Sequence, residues 1–214
     1  NNFLGAIGNS LIISLTTTVL AVLVGVFTAY ALTRLDFPGK GIITGVILAA
    51  SMFPGIALVT PLFQLFGDLG WIGTYRAMII PNISFALPLT VYTLISFFQQ
   101  LPWELEEAAR VDGATRGQAF RLVLLPLAAP AIFTTAIIAF ITTWNEFMLA
   151  RQLSTTATEP VTVAIARFSG PSAFEYPYAA IMAAGSLVTV PLIIMVLIFQ
   201  RRIVDGLTAG GVKG

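Results

Sequence analysis

The chain has 214 residues, of which 57% are hydrophobic and 10% are charged, and its mean hydropathy is +0.91. Soluble domains carry closer to a quarter of charged residues, so this composition predicts a membrane protein. The formal net charge of +1 excludes a strongly basic nucleic-acid-binding protein. The absence of cysteine excludes disulfides and thiolate metal sites, and the absence of histidine removes the commonest general base and metal ligand.

Charge-free apolar runs follow one another along the chain. A membrane-spanning helix needs about 20 apolar residues, and transmembrane strands would instead alternate polar and apolar residues. The runs do not alternate, so we predict an all-α fold, a polytopic transmembrane helix bundle forming one domain over 1–214. The five runs are 11–32, 41–66, 77–98, 122–145 and 176–200.

Prolines interrupt several of these runs. Each removes a backbone hydrogen bond that lipid cannot replace, so we expect kinked helices packed in a bundle. The prolines are Pro54, Pro61, Pro81, Pro88 and Pro191.

Basic residues are distributed unevenly between the two sets of loops. Basic loops favour the cytoplasmic side, so a bias of eight to three predicts an outer N-terminus and a cytoplasmic C-terminus. The first set contains Arg34, Lys40, Arg110, Arg116, Arg121, Arg201, Arg202 and Lys213. The second set contains Arg76, Arg151 and Arg167.

The segment 101–126 is a polar, helix-forming island between apolar runs. Pro102 suits the first position of a helix, and the carboxylates after it favour the positive end of the helix dipole. Gly113 suits the left-handed residue that ends a helix, and Thr115 with Gln118 matches a capping box. Pro126 and Pro130 are expected to interrupt or bend the chain after this island. The pattern predicts a short helix, a glycine turn, a second helix and a membrane span.

Spacing within the first of these helices predicts a contact surface. Leu105, Ala108, Ala109 and Asp112 recur at intervals of three and four residues and so share one face. Small alanines allow the backbone of another protein to approach closely. The alternative, from composition alone, is a solvated amphipathic loop helix.

The same segment resembles the EAA motif of importer-type ATP-binding-cassette permeases. Glu107-Ala108-Ala109, three residues, Gly113, nine residues and Val123-x-Leu125-Pro126 reproduce the family pattern, with valine at the isoleucine position. The resemblance implies that 101–121 is a cytoplasmic loop whose helix docks into a groove on an ATPase subunit. The implied coupling residues are Glu106, Glu107, Ala108, Ala109, Arg110, Asp112, Gly113, Ala114, Leu125 and Pro126.

Other segments resemble the second permease of carbohydrate importers of the maltose and trehalose type. They are Asn9-Ser10, the run from Ala29 to Arg34, Trp144-Asn145-Glu146-Phe147 and the ending 206–214. This resemblance implies a bacterial inner-membrane location, a second permease, two cytoplasmic ATPase subunits and an extracytoplasmic sugar-binding protein. Members of the family normally start in the cytoplasm, so one further span is expected before Asn1.

Two loops and a few polar residues complete the predictions. The outer loop 150–175 is expected to contact the sugar-binding protein, although a plain connector is the alternative, and 201–214 is expected to be a cytoplasmic tail that reaches the ATPase. Asn82, Trp144, Asn145 and Glu146 are candidates for the substrate path. A structural hydrogen bond is the alternative for Asn82, and hydration at the outer interface is the alternative for Glu146.

No catalytic motif is recognisable. A phosphate-binding loop would read G-x-x-x-x-G-K-[ST], and 34–41 lacks both the first glycine and the final hydroxyl residue. We therefore expect no enzyme activity, metal or cofactor in this chain, with ATP and Mg²⁺ used by the partner ATPase. The remaining alternatives are a permease for a non-sugar solute, an ion-coupled secondary transporter and a structural membrane subunit.

Overall fold

The computed structural model describes residues 3–168 and 177–211, with side chains described as far as residue 198. Within those ranges every regular element is helical. The α-helices are α1 Phe3–Arg34, α2 Lys40–Ser51, α3 Val59–Asp68, α4 Tyr75–Gln100, α5 Glu104–Val111, α6 Arg116–Ala119, α7 Leu125–Trp144, α8 Met148–Leu153, α9 Val161–Ala166 and α10 Tyr178–Gly211. A 3-10 helix, Gly55–Leu58, precedes α3, and a π-helical segment, Phe120–Leu124, precedes α7.

Four long apolar helices match four of the five predicted spans, which confirms the all-α membrane fold. They are Phe3–Arg34, Tyr75–Gln100, Arg116–Trp144 and Tyr178–Ile198. Half of the residues in the most apolar window of α4 are buried, against 6% in that of α10. The bundle is therefore centred on α4, while α10 lies at its periphery and presents most of its apolar surface outward.

The predicted span 41–66 is not one kinked helix. Lys40–Ser51 and Gly55–Asp68 meet at 87°, so the segment is two helices joined by a sharp bend. Pro54 lies at the bend in an extended conformation, with φ −68° and ψ 113°. Because proline has no N–H and disfavours a helical residue before it, α2 ends ahead of Pro54. Pro61 lies in the first turn of α3, where a missing N–H costs little.

Close packing of α1 against α4 forms the centre of the bundle. A Cβ added to Gly25 would lie 2.5 Å from Cγ2 of Thr90, so only glycine allows this approach. Ala21 and Ala29 on the same helix are fully buried. Small residues at such contacts allow helices in a membrane to gain van der Waals packing over a large area.

The helix from Arg116 to Trp144 is continuous, so Pro126 and Pro130 do not interrupt the chain; interruption is one of the two predicted outcomes. Pro126 lies at the start of α7, directly after the π-helical segment. A π turn includes one residue more than an α turn, and such turns commonly accommodate a local mismatch in the hydrogen-bond ladder. The proline is therefore absorbed by a wider turn, without a break.

The segment after α7 packs against the bundle. Within it Val161 and Val163 are fully buried and Ala164 is nearly so. Residues 169–175 of the predicted outer loop lie outside the described residues, as do 212–214 of the predicted tail.

Candidate functional site

The first part of the site is α5, which begins two residues later than its sequence predicts. Its first turn is closed by the carbonyl of Trp103, which accepts the N–H groups of Glu106 and Glu107 at 3.0 and 3.1 Å. Pro102 therefore lies outside the helix, and its prediction as the first helical residue is wrong. The prediction that Glu104, Glu106 and Glu107 lie in the first turn is confirmed. There their carboxylates favour the positive end of the helix dipole.

The end of α5 has the predicted chemistry. Gly113 adopts φ 92°, its N–H donates to Arg110 at 3.1 Å, and the N–H of Ala114 donates to Ala109 at 2.9 Å. These two bonds define a Schellman motif, which needs a left-handed residue at the glycine position. The chain then restarts at Thr115, whose predicted capping box is confirmed. Two turns with defined geometry thus fix both ends of the link between α5 and α6.

One face of α5 is free in this chain. Leu105, Ala108 and Asp112 are exposed and Ala109 is partly exposed, so the predicted contact face points away from the bundle. Val111, beside this face, is 87% exposed. An exposed valine and leucine next to small alanines form a short apolar surface flanked by charge. This composition suits a protein partner better than open solvent.

The side of α5 that faces the bundle carries Glu106, which the sequence groups with the predicted docking residues. Its side chain is only 5% exposed, and its Oε1 accepts a hydrogen bond from the hydroxyl of Tyr30 at 3.3 Å. Its Oε2 is buried without a hydrogen-bond partner. Glu106 therefore contacts this chain's own first helix in this conformation, whereas Glu107 and Arg110 are exposed.

Arg34 lies one helical turn after Tyr30 on α1, and sequence analysis did not single it out as a site residue. Its Nη2 donates to the carbonyls of Phe98 and Leu101 at 2.7 and 2.6 Å, at the end of α4. Its guanidinium carbon lies 4.4 Å from the centre of the Trp103 ring, within the range of a cation–π contact. We call Tyr30, Arg34, Trp103 and Glu106 the Arg34 cluster. The signal in the sequence was a basic residue at the very end of an apolar span.

Leu125 and Pro126 occupy different environments at the start of α7. Leu125 packs against the cluster of apolar side chains that includes Phe98 and Leu124, whereas Pro126 is exposed. Leu125 thus connects the segment after α5 with the core of the bundle.

The candidate path residues divide into two groups. Asn82 and Glu146 line one narrow cleft, together with Ser10, Ser14 and Thr143. The amide of Asn82 donates to the carbonyl of Met78 at 2.9 Å, one turn back in its own helix. This bond uses only the amide N–H, so the Oδ1 of Asn82 is left as a hydrogen-bond acceptor. The structure therefore brings together two residues that are far apart in the sequence.

Trp144 and Asn145 lie elsewhere. Trp144 is 1% exposed and its indole stacks on Phe140, with ring centroids 5.4 Å apart, so no face of it is free for a sugar in this conformation. Asn145 is exposed and its amide donates to the carbonyl of Ile141 at 2.8 Å.

Glu146 also has a structural role at the start of α8. Its carboxylate accepts the N–H groups of Leu149 and Ala150 at 2.7 and 3.0 Å, and its carbonyl accepts the hydroxyl of Thr162 at 2.8 Å. Burial raises the pKa of Glu146 above the ordinary value, and the backbone hydrogen bonds to the carboxylate offset only part of this rise. Glu146 is thus a partly buried capping residue as well as a cleft residue.

Asn9 and Ser10 attach the segment before α9 to the beginning of α1. The amide of Asn9 donates to the carbonyls of Ala157 and Glu159 at 3.1 and 3.0 Å, and its Oδ1 accepts the hydroxyl of Tyr75 at 2.6 Å. Ser10 accepts the N–H of Val161 at 2.8 Å. These bonds hold part of the predicted outer loop against two membrane helices.

A groove between α4 and α7 is lined by threonines that sequence analysis did not select. Each hydroxyl donates to the carbonyl four residues earlier, at 2.7 to 2.9 Å, so each oxygen retains lone pairs that can accept a hydrogen bond. These threonines are Thr90, Thr93, Thr135 and Thr142.

Metal ligands do not converge within the described part of the chain: no three acidic, histidine or cysteine residues there lie close enough to hold an ion.

The sequence resembles known membrane transport proteins over most of its length. Residues 21–208 match the family described as "binding-protein-dependent transport system inner membrane component". The chain is 53% identical over 213 residues to the trehalose transport system permease protein SugB of Mycobacterium tuberculosis, covering 99% of this chain and 78% of that protein. It is 44% identical over 207 residues to the trehalose/maltose transport system permease protein MalG of Thermococcus litoralis, covering 96% and 74%.

The fold resembles a solved transporter as well. A chain from the crystal structure of a bacterial ABC transporter involved in the import of the acidic polysaccharide alginate aligns with a TM-score of 0.74 and 23% identity, covering 93% of this chain and 74% of that one. At this level of identity the similarity concerns the fold.

Proposed function

The chain belongs to the family of binding-protein-dependent transport system inner-membrane components, and we propose that it is the second permease subunit of an ATP-driven sugar importer that takes up a disaccharide such as trehalose or maltose. The observation that carries the importer proposal is the free face of α5, held at a fixed angle by the Schellman motif at Gly113. The observation that favours a disaccharide is the identity to permeases named for trehalose and maltose transport.

In this proposal α5 is the docking helix for a cytoplasmic ATPase. Ala108, Ala109 and Asp112 form the surface that enters a groove on that subunit, with Glu107 and Arg110 beside it. Gly113 and Ala114 fix the turn, and Leu125 and Pro126 carry the movement into α7. Glu106 faces inward and belongs to the support of the helix.

The proposed orientation places α5 and the end of α10 in the cytoplasm and α9 outside. The eight-to-three bias of basic residues supports it. So does the length of α1: Asn9 near its beginning contacts the segment before α9, and Arg34 at its end contacts α4 next to α5. At 1.5 Å per residue these two positions are roughly 38 Å apart, about the thickness of a bilayer with its head groups.

The proposed partners are a second permease, two ATPase subunits and an extracytoplasmic sugar-binding protein. ATP and Mg²⁺ act on the ATPase subunits, so this chain has no catalytic role and holds no cofactor. The packed segment around α9, part of the outer loop 150–175, is proposed to contact the binding protein because Asn9 and Ser10 hold it as a fixed surface. The tail 201–214 is proposed to lie on the ATPase side.

The proposed mechanism is alternating access. ATP closes the two ATPase subunits, α5 moves with the subunit on which it docks, and the bundle reorients. Nucleotide can shift the permease only to the extent that it has different affinities for the two states. For the path we propose the cleft that contains Asn82 and Glu146 together with the threonine-lined groove, with Asn145 at its outer end, since acceptor oxygens in these places suit sugar hydroxyls. Trp144 would join the path only in a conformation that exposes it.

The decisive experiment measures uptake of radiolabelled disaccharides by a strain that lacks this gene and carries either an empty vector or the intact chain. We expect uptake of one disaccharide to return only with the intact chain. Reconstitution of the complete complex should then give ATP hydrolysis that the same sugar, loaded on its binding protein, stimulates.

The alternatives predict other results. Uptake of an amino acid or peptide without sugar uptake would favour a non-sugar importer, and uptake that depends on an ion gradient without ATP would favour a secondary transporter. If the intact chain supports neither uptake nor sugar-stimulated ATP hydrolysis, only a structural role remains.

A further inference from the structure

The Arg34 cluster has a feature that docking of α5 alone does not explain. Arg34 is only 5% exposed, yet its Nε and Nη1 are buried without hydrogen-bond partners while Nη2 makes both of its bonds. A buried cation with unmet donors is costly, so a role in stability alone is a poor explanation for its presence.

The contacts of Arg34 converge on the residues that set the position of α5. Nη2 donates to the carbonyl of Leu101, the residue directly after α4, and the guanidinium lies over Trp103, whose carbonyl closes the first turn of α5. One turn earlier on α1, Tyr30 donates to Glu106 on the buried face of α5. Two residues of one α1 face therefore contact the entry to α5 and its inner side.

Beyond the contacts with α1, α5 also packs against α6 and the π-helical segment Phe120–Leu124, which follow it in the chain. Its free face points outward, and its far end is closed by the glycine turn. The angle between α5 and the preceding helices α1 and α4 therefore depends on the entry turn over 101–103 and on the contact of Glu106 with Tyr30. A guanidinium that binds a carbonyl on one side of this turn and a ring on the other can fix that angle, whereas an ammonium is a point charge without a planar face.

We infer that Arg34 is a positioning residue for α5: by joining the end of α4 to Trp103 it holds the docking helix rigidly against α1, so that movement of α5 is transmitted to the bundle. The inference rests on the proposed function in treating α5 as the docking helix. Arg34 itself touches neither substrate nor nucleotide.

The first test measures transmission. The complete complex is reconstituted in liposomes with the intact chain, Arg34→Met, Arg34→Lys or Tyr30→Phe, and the ATP hydrolysed per sugar imported is determined. Arg34→Met keeps a long apolar stem and removes every donor, so we expect the ratio to rise about tenfold, the size of a typical coupling between sites, with assembly unchanged on size exclusion. Arg34→Lys should restore part of the coupling, and Tyr30→Phe should give a smaller rise. Lys40→Gln is the control. It removes a cation near the same end of α1, but Lys40 pairs with Asp36 and not with α5, so the ratio of ATP to sugar should be unchanged.

The second test measures position directly and does not require transport. The chain has no cysteine, so Asp36→Cys and Val111→Cys, combined with cysteine-free partner subunits, give unique sites for spin labels beside α1 and on α5. In the purified complex we expect a narrow distribution of distances between the labels, and a broad one after Arg34→Met or Tyr30→Phe. Equal widths in all three proteins, or a wild-type ratio of ATP to sugar in Arg34→Met, would overturn the inference. An intact complex without sugar-stimulated hydrolysis would contradict the proposed function, while the label distances would still decide the role of Arg34.

Discussion

The two ends of α1 hold their neighbouring loops in different ways. At its beginning, the neutral side chains of Asn9 and Ser10 bind the backbone before α9 and at its first residue. The amide of Asn9 donates two hydrogen bonds and its Oδ1 accepts one. At its end, Arg34 and Tyr30 hold α5 through a charged cluster. In this cluster Nε and Nη1 of Arg34 and Oε2 of Glu106 have no hydrogen-bond partners. Fully hydrogen-bonded neutral groups favour a single arrangement of the loop. Buried charged groups with unmet hydrogen bonds instead raise the free energy of the arrangement that contains them. The difference suggests a fixed surface at one end and, at the other, a costly rigid link through which movement of α5 reaches the bundle.

The largest effect should come from Gly113→Val, which attacks the moving end. No heavy atom lies within 4 Å of a Cβ at this position, so the cost is conformational: φ 92° is strained for a β-branched residue by about 1–3 kcal/mol. We expect α5 to lose its angle and sugar uptake to fall to background, measured in whole cells. Gly117→Ala is the matched control, because Gly117 lies in the helical turn after Thr115 with open space around it and should transport normally. Normal uptake by Gly113→Val would refute the role of the turn.

The second effect tests the free face of α5 without disturbing its support. Glu107→Lys reverses an exposed charge on α5. We expect the chain to fold normally but its affinity for the ATPase to fall roughly tenfold or more, since reversing a charge in an interface disrupts electrostatic complementarity. Co-purification with the ATPase at increasing salt concentrations measures this loss of affinity. Asp36→Lys is the control, because it reverses a charge at the same end of the bundle but outside α5. Unchanged yield of the complex would contradict a docking surface at Glu107.

A third prediction concerns the fixed end. Asn9→Ala removes two bonds to the loop backbone and leaves the hydroxyl of Tyr75 unpaired, at a cost of about 1–3 kcal/mol. We expect faster hydrogen exchange and proteolysis over 155–161, while ATPase binding at the other end is unchanged. Tyr75→Phe removes only one of the three hydrogen bonds, so its rates of hydrogen exchange and proteolysis should lie between those of Asn9→Ala and the intact chain. Loss of ATPase binding in Asn9→Ala would show that the two ends are not separable.

The smallest effect is a pH dependence at Glu146. Burial raises the pKa of this carboxyl in the folded chain, so its protonated form is favoured there. Its contribution to stability is therefore complete below the ordinary pKa of about 4.3 and is lost as pH rises through the folded pKa. Thermal unfolding in detergent should show the intact chain losing stability relative to Glu146→Gln over this range, then no further change. A difference between the two proteins that stays constant with pH would contradict the raised pKa.

Local chemistry in the sequence predicts part of the site well. The turn at Gly113 and the capping box at Thr115 depend on residues close to them in the chain, so the sequence contains all the information required. The rotation of α5 does not follow in this way. Glu106 turns inward because Tyr30, 76 positions away, offers a hydroxyl there, and no periodicity within α5 encodes that partner.

The same distinction applies to the prolines and to Trp144. Pro81 and Pro88 are buried inside the continuous helix α4, whereas Pro54 coincides with the 87° bend, so residue type alone does not predict which proline breaks a span. Neighbouring helices and local turns can compensate the missing bond in one place and not in another. Trp144 lies at a span end, as an interfacial tryptophan would, but it packs beside Ala6 and Val161 from distant parts of the chain.

The π-helical segment Phe120–Leu124 changes which residues of the long helix around it share a face. One extra residue in a turn shifts the angular phase of everything before it by about 100° relative to an ideal α-helix. A helical wheel drawn through Arg116–Trp144 as one α-helix would consequently assign Arg116 and Gln118 to the wrong side. Surface labels or cross-links in this region should be chosen from two separate wheels, one on each side of the wide turn.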